Sequence, residues 1–69
     1  MTQAEATGAV RAIVRLVIVD DHSLVRDGLR ARLSVVDGLQ VIGEAASGAE
    51  ALELAAAYAP DLMLVDVGM

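Results

Sequence analysis

The sequence predicts an α/β domain, a βαβαβ unit whose three-stranded parallel sheet has the order 2-1-3 and carries one helix on each face. Three observations predict it. Short apolar-rich segments alternate with longer stretches in which apolar residues recur every three or four positions, the pattern of strands joined by crossover helices. The first and third runs each stop at aspartate, which marks a strand end facing a polar crevice. Right-handed crossovers, one to each side of the first strand, then place the two helices on opposite faces.

Residues 1–13 are small, mixed and aperiodic, and are expected to form a flexible N-terminal tail. Residues 14–19 read Val-Arg-Leu-Val-Ile-Val and stop at Asp20-Asp21, as a strand buried on both faces does. Over residues 22–35 the period changes: Val25, Leu29 and Leu33 share a stripe with Leu24 and Val36 beside it. Arg26, Arg30 and Arg32 fall outside that stripe and read as a solvated face. Gly28 costs this helix about 1 kcal/mol relative to Ala, so packing must hold it. Asp37-Gly38 is a turn signal, and residues 39–43 read as a short, more polar strand near an edge. Ser47 and Glu50 have capping-box spacing and open a helix over residues 48–58. That helix is expected to turn Leu52, Ala55, Ala56 and Ala59 to one side before Pro60 stops it. Residues 61–66, Asp-Leu-Met-Leu-Val-Asp, form the third strand, and Gly68-Met69 begin a loop. Met63 and Met69 are expected to be packing residues.

Composition removes several function classes. The chain has 69 residues, 57% of them hydrophobic and 22% charged, the opposite of a disordered composition. Cysteine is absent, which excludes disulfides, thiolate nucleophiles and cysteine-based zinc sites. Five arginines, no lysine and ten acidic residues give a net charge of −5, which argues against a nucleic-acid-binding surface on this stretch. No apolar run approaches the ~20 residues that span a bilayer. Arg11 and Arg15 interrupt the N-terminal apolar stretch, unlike a signal peptide, so a cytoplasmic location is expected. A core this small is marginal and calls for self-association or tight packing.

In open α/β sheets ligands bind beyond the carboxyl ends of the strands, where the strand order reverses. With order 2-1-3 that point lies between strands one and three, whose ends carry Asp20, Asp21 and Asp66. Two unit charges ~6 Å apart at an effective dielectric of ~20 repel by roughly 3 kcal/mol. A cation relieves that repulsion, and oxygen ligands with room for water suit Mg²⁺. A carboxylate facing outward beside the ion can accept a phosphoryl group as an acyl phosphate. Any one of these aspartates alone reads as a turn or cap residue; an adjacent pair plus a third on the neighbouring strand end is harder to explain that way. His22, the only histidine, reads as a solvated residue at the helix start rather than a ligand or base.

Residues 14–29, Val-Arg-Leu-Val-Ile-Val-Asp-Asp-His-Ser-Leu-Val-Arg-Asp-Gly-Leu, resemble the opening of response-regulator receiver domains, most of all those of the NarL/LuxR type. Residues 41–52, Val-Ile-Gly-Glu-Ala-Ala-Ser-Gly-Ala-Glu-Ala-Leu, and residues 60–69, Pro-Asp-Leu-Met-Leu-Val-Asp-Val-Gly-Met, continue the match in order. The resemblance implies a partial flavodoxin-like (CheY-like) fold, with residues 14–69 as the N-terminal half of a receiver domain. It implies that Asp66 accepts a phosphoryl group from a sensor histidine kinase. It further implies that Asp20, Asp21, Asp66 and the backbone carbonyl of Gly68 hold Mg²⁺. Such a domain is a phosphoacceptor switch rather than a turnover enzyme, and it controls transcription through a C-terminal helix-turn-helix that binds DNA.

The chain departs from that pattern. Receiver domains have five strands and five helices, and the Ser/Thr after strand four and the Lys after strand five have no counterpart here. Ser23 stands where the subfamily often has proline. The chain is therefore expected to be a truncated receiver, with strand 61–66 as an open apolar edge that templates self-association. The alternative function is a phosphorylation-incompetent fragment that acts only through that edge. A Mg²⁺-dependent phosphohydrolase would pair its nucleophile with an acid two residues on; Gly68 follows Asp66 at that spacing and His22 follows Asp20, so this reading ranks low.

Overall fold

Val17 and Ile18 have no exposed surface, because the strand that carries them lies between two others and beneath a helix on either side. In the computed structural model, which describes residues 12–66, this strand is β1 (Val14–Val19). It is followed by α1 (Ser23–Leu33), β2 (Leu39–Ala45), α2 (Gly48–Tyr58) and β3 (Leu62–Val65). The sheet is parallel with order β2-β1-β3, as the sequence predicts. The expected tail lies outside the described residues apart from Ala12 and Ile13, and so do Gly68 and Met69.

Alternation along β1 divides the core. Val17 and Val19 pack with Ala45 and Ala51, and Ile42, Leu54 and Met63 close that layer beneath α2. Leu16 and Ile18, also buried, point to the other face, where α1 lies. Each such side chain contributes about 1.5–3 kcal/mol by leaving water.

The edge strand β2 is longer than expected, running through Glu44 to Ala45 rather than stopping at Gly43. Its register against β1 slips at one point: Leu16 pairs with Val41 but Val17 with Gly43, so Ile42 is an extra residue. Gly43 is a point of close approach instead of a strand end. A Cβ there would sit 3.4 Å from Leu54 Cδ1, so the missing side chain lets α2 come down onto the sheet.

Helix α1 is shorter than its periodic pattern, ending at Leu33 with Ser34 as its C-cap. Leu29 and Leu33 are half-buried, but Leu24 is 81% exposed, which corrects its expected place beside the stripe. One residue is about 100° of helix, and from Val25 that turn carries Leu24 clear of the sheet. The turn the other way carries Arg26 in, and its side chain is only 18% exposed.

Helix α2 begins and ends where predicted. Ser47 Oγ accepts from the Glu50 N–H at 3.2 Å, while Glu50 Oε1 accepts from the Ala46 N–H at 2.7 Å, one residue ahead of the usual capping-box donor. Its inward face differs from expectation: Ala51, Leu54 and Ala55 face the sheet, whereas Leu52 is 73% exposed and Ala56 and Ala59 face outward. Two apolar stripes overlap on this alanine-rich helix, and the one whose leucine fits over Gly43 and Val17 is buried. At its end Ala59 adopts a left-handed conformation, and Arg15 Nη1 donates to its carbonyl at 2.9 Å. Asp61 fastens the same corner, accepting from the Arg15 N–H and donating its own N–H to the Arg15 carbonyl.

Strand β3 is one residue shorter at each end than the run of residues 61–66. It pairs with β1 alone, and among the described residues its other edge is open. Met63 packs inward, while Leu62, Leu64 and Val65 are about half exposed. No helix among the described residues is long and apolar enough to cross a membrane.

Candidate functional site

The last rungs of the sheet set the site. The Asp20 N–H donates to the Ala45 carbonyl and the Asp66 N–H to the Val19 carbonyl, each at 3.0 Å. Parallel neighbours end on the same side, so Asp20 and Asp66 emerge together at the carboxyl end of the sheet. The chain then passes Asp21 and starts α1 at His22, its N-cap. One ligand atom from each of Asp20, Asp21, His22 and Asp66 lies within 4.8 Å of the others. The three aspartates picked out from the sequence therefore share one place. Gly68, the expected carbonyl ligand, lies outside the described residues.

Asp20 is the buried member. Its Oδ1 accepts from the His22 backbone N–H at 2.8 Å, a turn closed by the aspartate side chain two residues back. That N–H is the main reason its carboxyl lies below the ordinary aspartate range. Burial pushes the other way, and the His22 imidazole and a hydrogen bond with Asp66 reinforce the lowering. Carboxylates gathered this closely suit a divalent cation, and an oxygen-rich donor set beside open solvent suits Mg²⁺, which keeps several waters. The residues present fit the ion.

His22 is a solvated residue at the helix start, as read from the sequence, whereas Arg26 was misread. The His22 ring is 68% exposed, yet its Nδ1 lies 2.8 Å from Asp21 Oδ1 and 3.2 Å from Asp20 Oδ1. Arg26 is no part of a solvated face: its Nη1 donates to the Asp20 carbonyl at 2.6 Å and its Nε to Glu44 Oε1 at 3.3 Å. Arg30 Nη1 donates to the other oxygen of Glu44 at 2.6 Å. The available signal was the four-residue spacing of Arg26 and Arg30 opposite an acid at the end of the edge strand. Beside the acids, an open groove of about 530 Å³ runs between α1 and β3, walled by Val25, Leu29 and Leu64.

Three parallel strands in the order 2-1-3 with a helix on each face, and acids gathered at the switch point, define an α/β protein of the doubly wound kind. Residues 16–69 match the response regulator receiver domain family, and the chain belongs to it. It is 49% identical over 57 residues to the response regulator GacA of Pseudomonas viridiflava, covering 83% of this chain and 27% of that protein. It is 42% identical over 57 residues to the transcriptional regulatory protein LiaR of Bacillus subtilis, with the same coverage of 83% and 27%. The solved signal receiver domain of NarL from Mycobacterium tuberculosis superposes with a TM-score of 0.74 at 47% identity, over 80% of this chain and 44% of that one. The chain thus spans about a quarter of the length of the curated relatives it matches.

Proposed function

We propose that this chain is the phosphoacceptor part of a two-component response regulator, with Asp66 as the acceptor. The convergence of Asp20, Asp21 and Asp66 at the switch point carries the reading. An Asp66 carboxylate oxygen attacks the phosphorus of a phosphohistidine on a sensor histidine kinase; the P–O bond forms, the P–N bond breaks, and the imidazole leaves with the bonding electron pair. Asp20, Asp21 and Asp66 hold Mg²⁺, with the Gly68 carbonyl as a further ligand. The ion offsets negative charge on the phosphoryl oxygens when bound. The chain is then a switch rather than a turnover enzyme. In the longer regulator it works in the cytoplasm and controls transcription through DNA contacts made outside these residues, in keeping with the transcriptional regulators it resembles.

Incubation with Mg²⁺ and a small acyl phosphate donor tests this. Base-labile phosphate is expected on the chain and is lost in Asp66→Asn. Unlabelled wild type, or label that survives the substitution, rejects Asp66 as acceptor.

A second reading rests on the β3 edge, which is unpaired among the described residues and bordered by the half-exposed Leu62, Leu64 and Val65. Such an edge pairs with a second copy. Size-exclusion chromatography with light scattering is expected to show a dimer or larger species at micromolar concentration, shifted toward monomer by Leu64→Lys. A folded wild-type monomer under those conditions refutes it.

A further inference from the structure

We infer that the β3 edge joins two copies of this chain into a closed dimer, through an antiparallel pair of β3 strands with Leu64 on the two-fold axis. The sheet then continues across the axis in the order β2-β1-β3-β3-β1-β2. The inference rests on the reading of that edge as one that pairs with a second copy, and adds the partner strand, its direction and its register. The Asp66 N–H donates to the Val19 carbonyl, so Asp66 and, by alternation, Leu64 and Leu62 turn their backbone groups to β1. Met63 and Val65 turn theirs to the edge left open among the described residues. Main-chain N–H and C=O groups in that row are met by another strand.

The two edges of the sheet differ, and the difference selects the strand. β2 carries the extra residue Ile42 and, two residues on, Glu44, which Arg26 and Arg30 hold; a bulge and a charge both block pairing. β3 has neither: its residues are Leu-Met-Leu-Val, in unbroken register with β1. Joining β3 head to tail with β2, which would grow a fibre, is therefore disfavoured, and β3 meets its own copy around a two-fold axis. The axis makes the pair antiparallel. A parallel ladder needs a one-residue stagger between facing strands, which a two-fold cannot supply, and it would bring both acidic ends together. Antiparallel pairing sets the two copies of Asp66 about 14 Å apart along the strands, beyond the Debye length of about 8 Å at physiological salt.

Two registers satisfy the alternation. With Met63 on the axis, the next pair would need the Asp61 N–H, which is already donated to the Arg15 carbonyl. With Leu64 on the axis, Met63 of each copy exchanges both bonds with Val65 of the other, and every outward group of β3 is used. Leu64 then faces its own copy as a close, non-hydrogen-bonded pair on the face that bears α1, where it is 41% exposed in the single chain.

The chain has no cysteine, so a single introduced thiol reports the register. Under mild oxidation Leu64→Cys is expected to move to twice the monomer mass on a non-reducing gel, since facing non-hydrogen-bonded residues stand about 4.5 Å apart at Cα, within disulfide reach. Leu62→Cys is expected to stay at the monomer mass, because its own copy lies about 14 Å along the strands. Without any substitution, an equal mixture of ¹³C-labelled and unlabelled chains is expected to show cross-peaks between the Leu64 methyls of the two copies. If the wild type is a dimer that Leu64→Lys dissociates, but Leu62→Cys cross-links as readily as Leu64→Cys or the Leu64 cross-peaks are missing, the inference falls and the edge reading stands. Species that grow past the dimer with concentration overturn the closed form in the same way. If the wild type is a folded monomer, the edge reading falls and the inference with it.

Discussion

Ile18→Ala is expected to lower stability by about 2–5 kcal/mol, enough to leave much of the chain unfolded at room temperature. Ile18 has no exposed surface and sits on the only strand among the described residues with a neighbour on both sides. Truncation removes its transfer energy and leaves a void, and β1 cannot close it without breaking pairs to β2 or β3. The described core is small: Leu16, Val17, Ile18, Val19, Ala45 and Ala51 are its buried hydrophobics, and four of the six lie on β1. Few other contacts can absorb the loss. Leu62→Ala, at a β3 position 51% exposed, is the control and should cost under about 1 kcal/mol, because most of its surface already faces water. Urea titrations followed by far-UV circular dichroism separate the two. Equal losses would mean that β1 is not the element that holds the others together.

The sequence made β1, α2 and the strand order legible because each rests on a signal read locally. Those signals were the β-branched run closed by two aspartates, the Ser47/Glu50 cap with Pro60 as stop, and the alternation of strands and helices. What failed required knowing how the elements meet. Gly43 looked like a strand end because its use, letting Leu54 approach, involves another element. The buried face of α2 was ambiguous because alanine fills both candidate stripes, and only the position of Leu54 over Val17 and Gly43 decides between them. At the site the three aspartates were legible from the switch-point rule, since strand ends are local and the rule supplies their meeting place. The place of Arg26 was not, because a polar residue near a helix start reads as solvated until its partners are known. Those partners, the Asp20 carbonyl and Glu44, lie on β1's end and on β2.

Arg26→Met is the second large effect expected. The substitution keeps the aliphatic stem over the sheet and removes every donor. The Asp20 carbonyl, bound by Arg26 at 2.6 Å, then loses that partner at the point where the chain leaves the sheet, and Glu44 keeps only Arg30. A part-buried acceptor left unpaired costs about 1–3 kcal/mol. Arg30→Met should cost no more than about 1 kcal/mol, since the Arg30 side chain is 60% exposed where it pairs with Glu44. Arg26→Lys is expected to recover part of the loss: one ammonium can serve the carbonyl or Glu44, but lacks the planar fork that reaches both. The same series distinguishes a purely structural role from one at the site. Arg26 holds the peptide whose side chain is the buried member of the acidic cluster, so Mg²⁺ affinity in the folded protein should fall in Arg26→Met, recover partly in Arg26→Lys and be unchanged in Arg30→Met. If Mg²⁺ affinity is the same in all three while stability follows the expected order, the guanidinium braces α1 against the sheet and does nothing for the cation. A fall confined to Arg26→Met and partly relieved by lysine would make the α1–β1 junction part of the apparatus that aims Asp20.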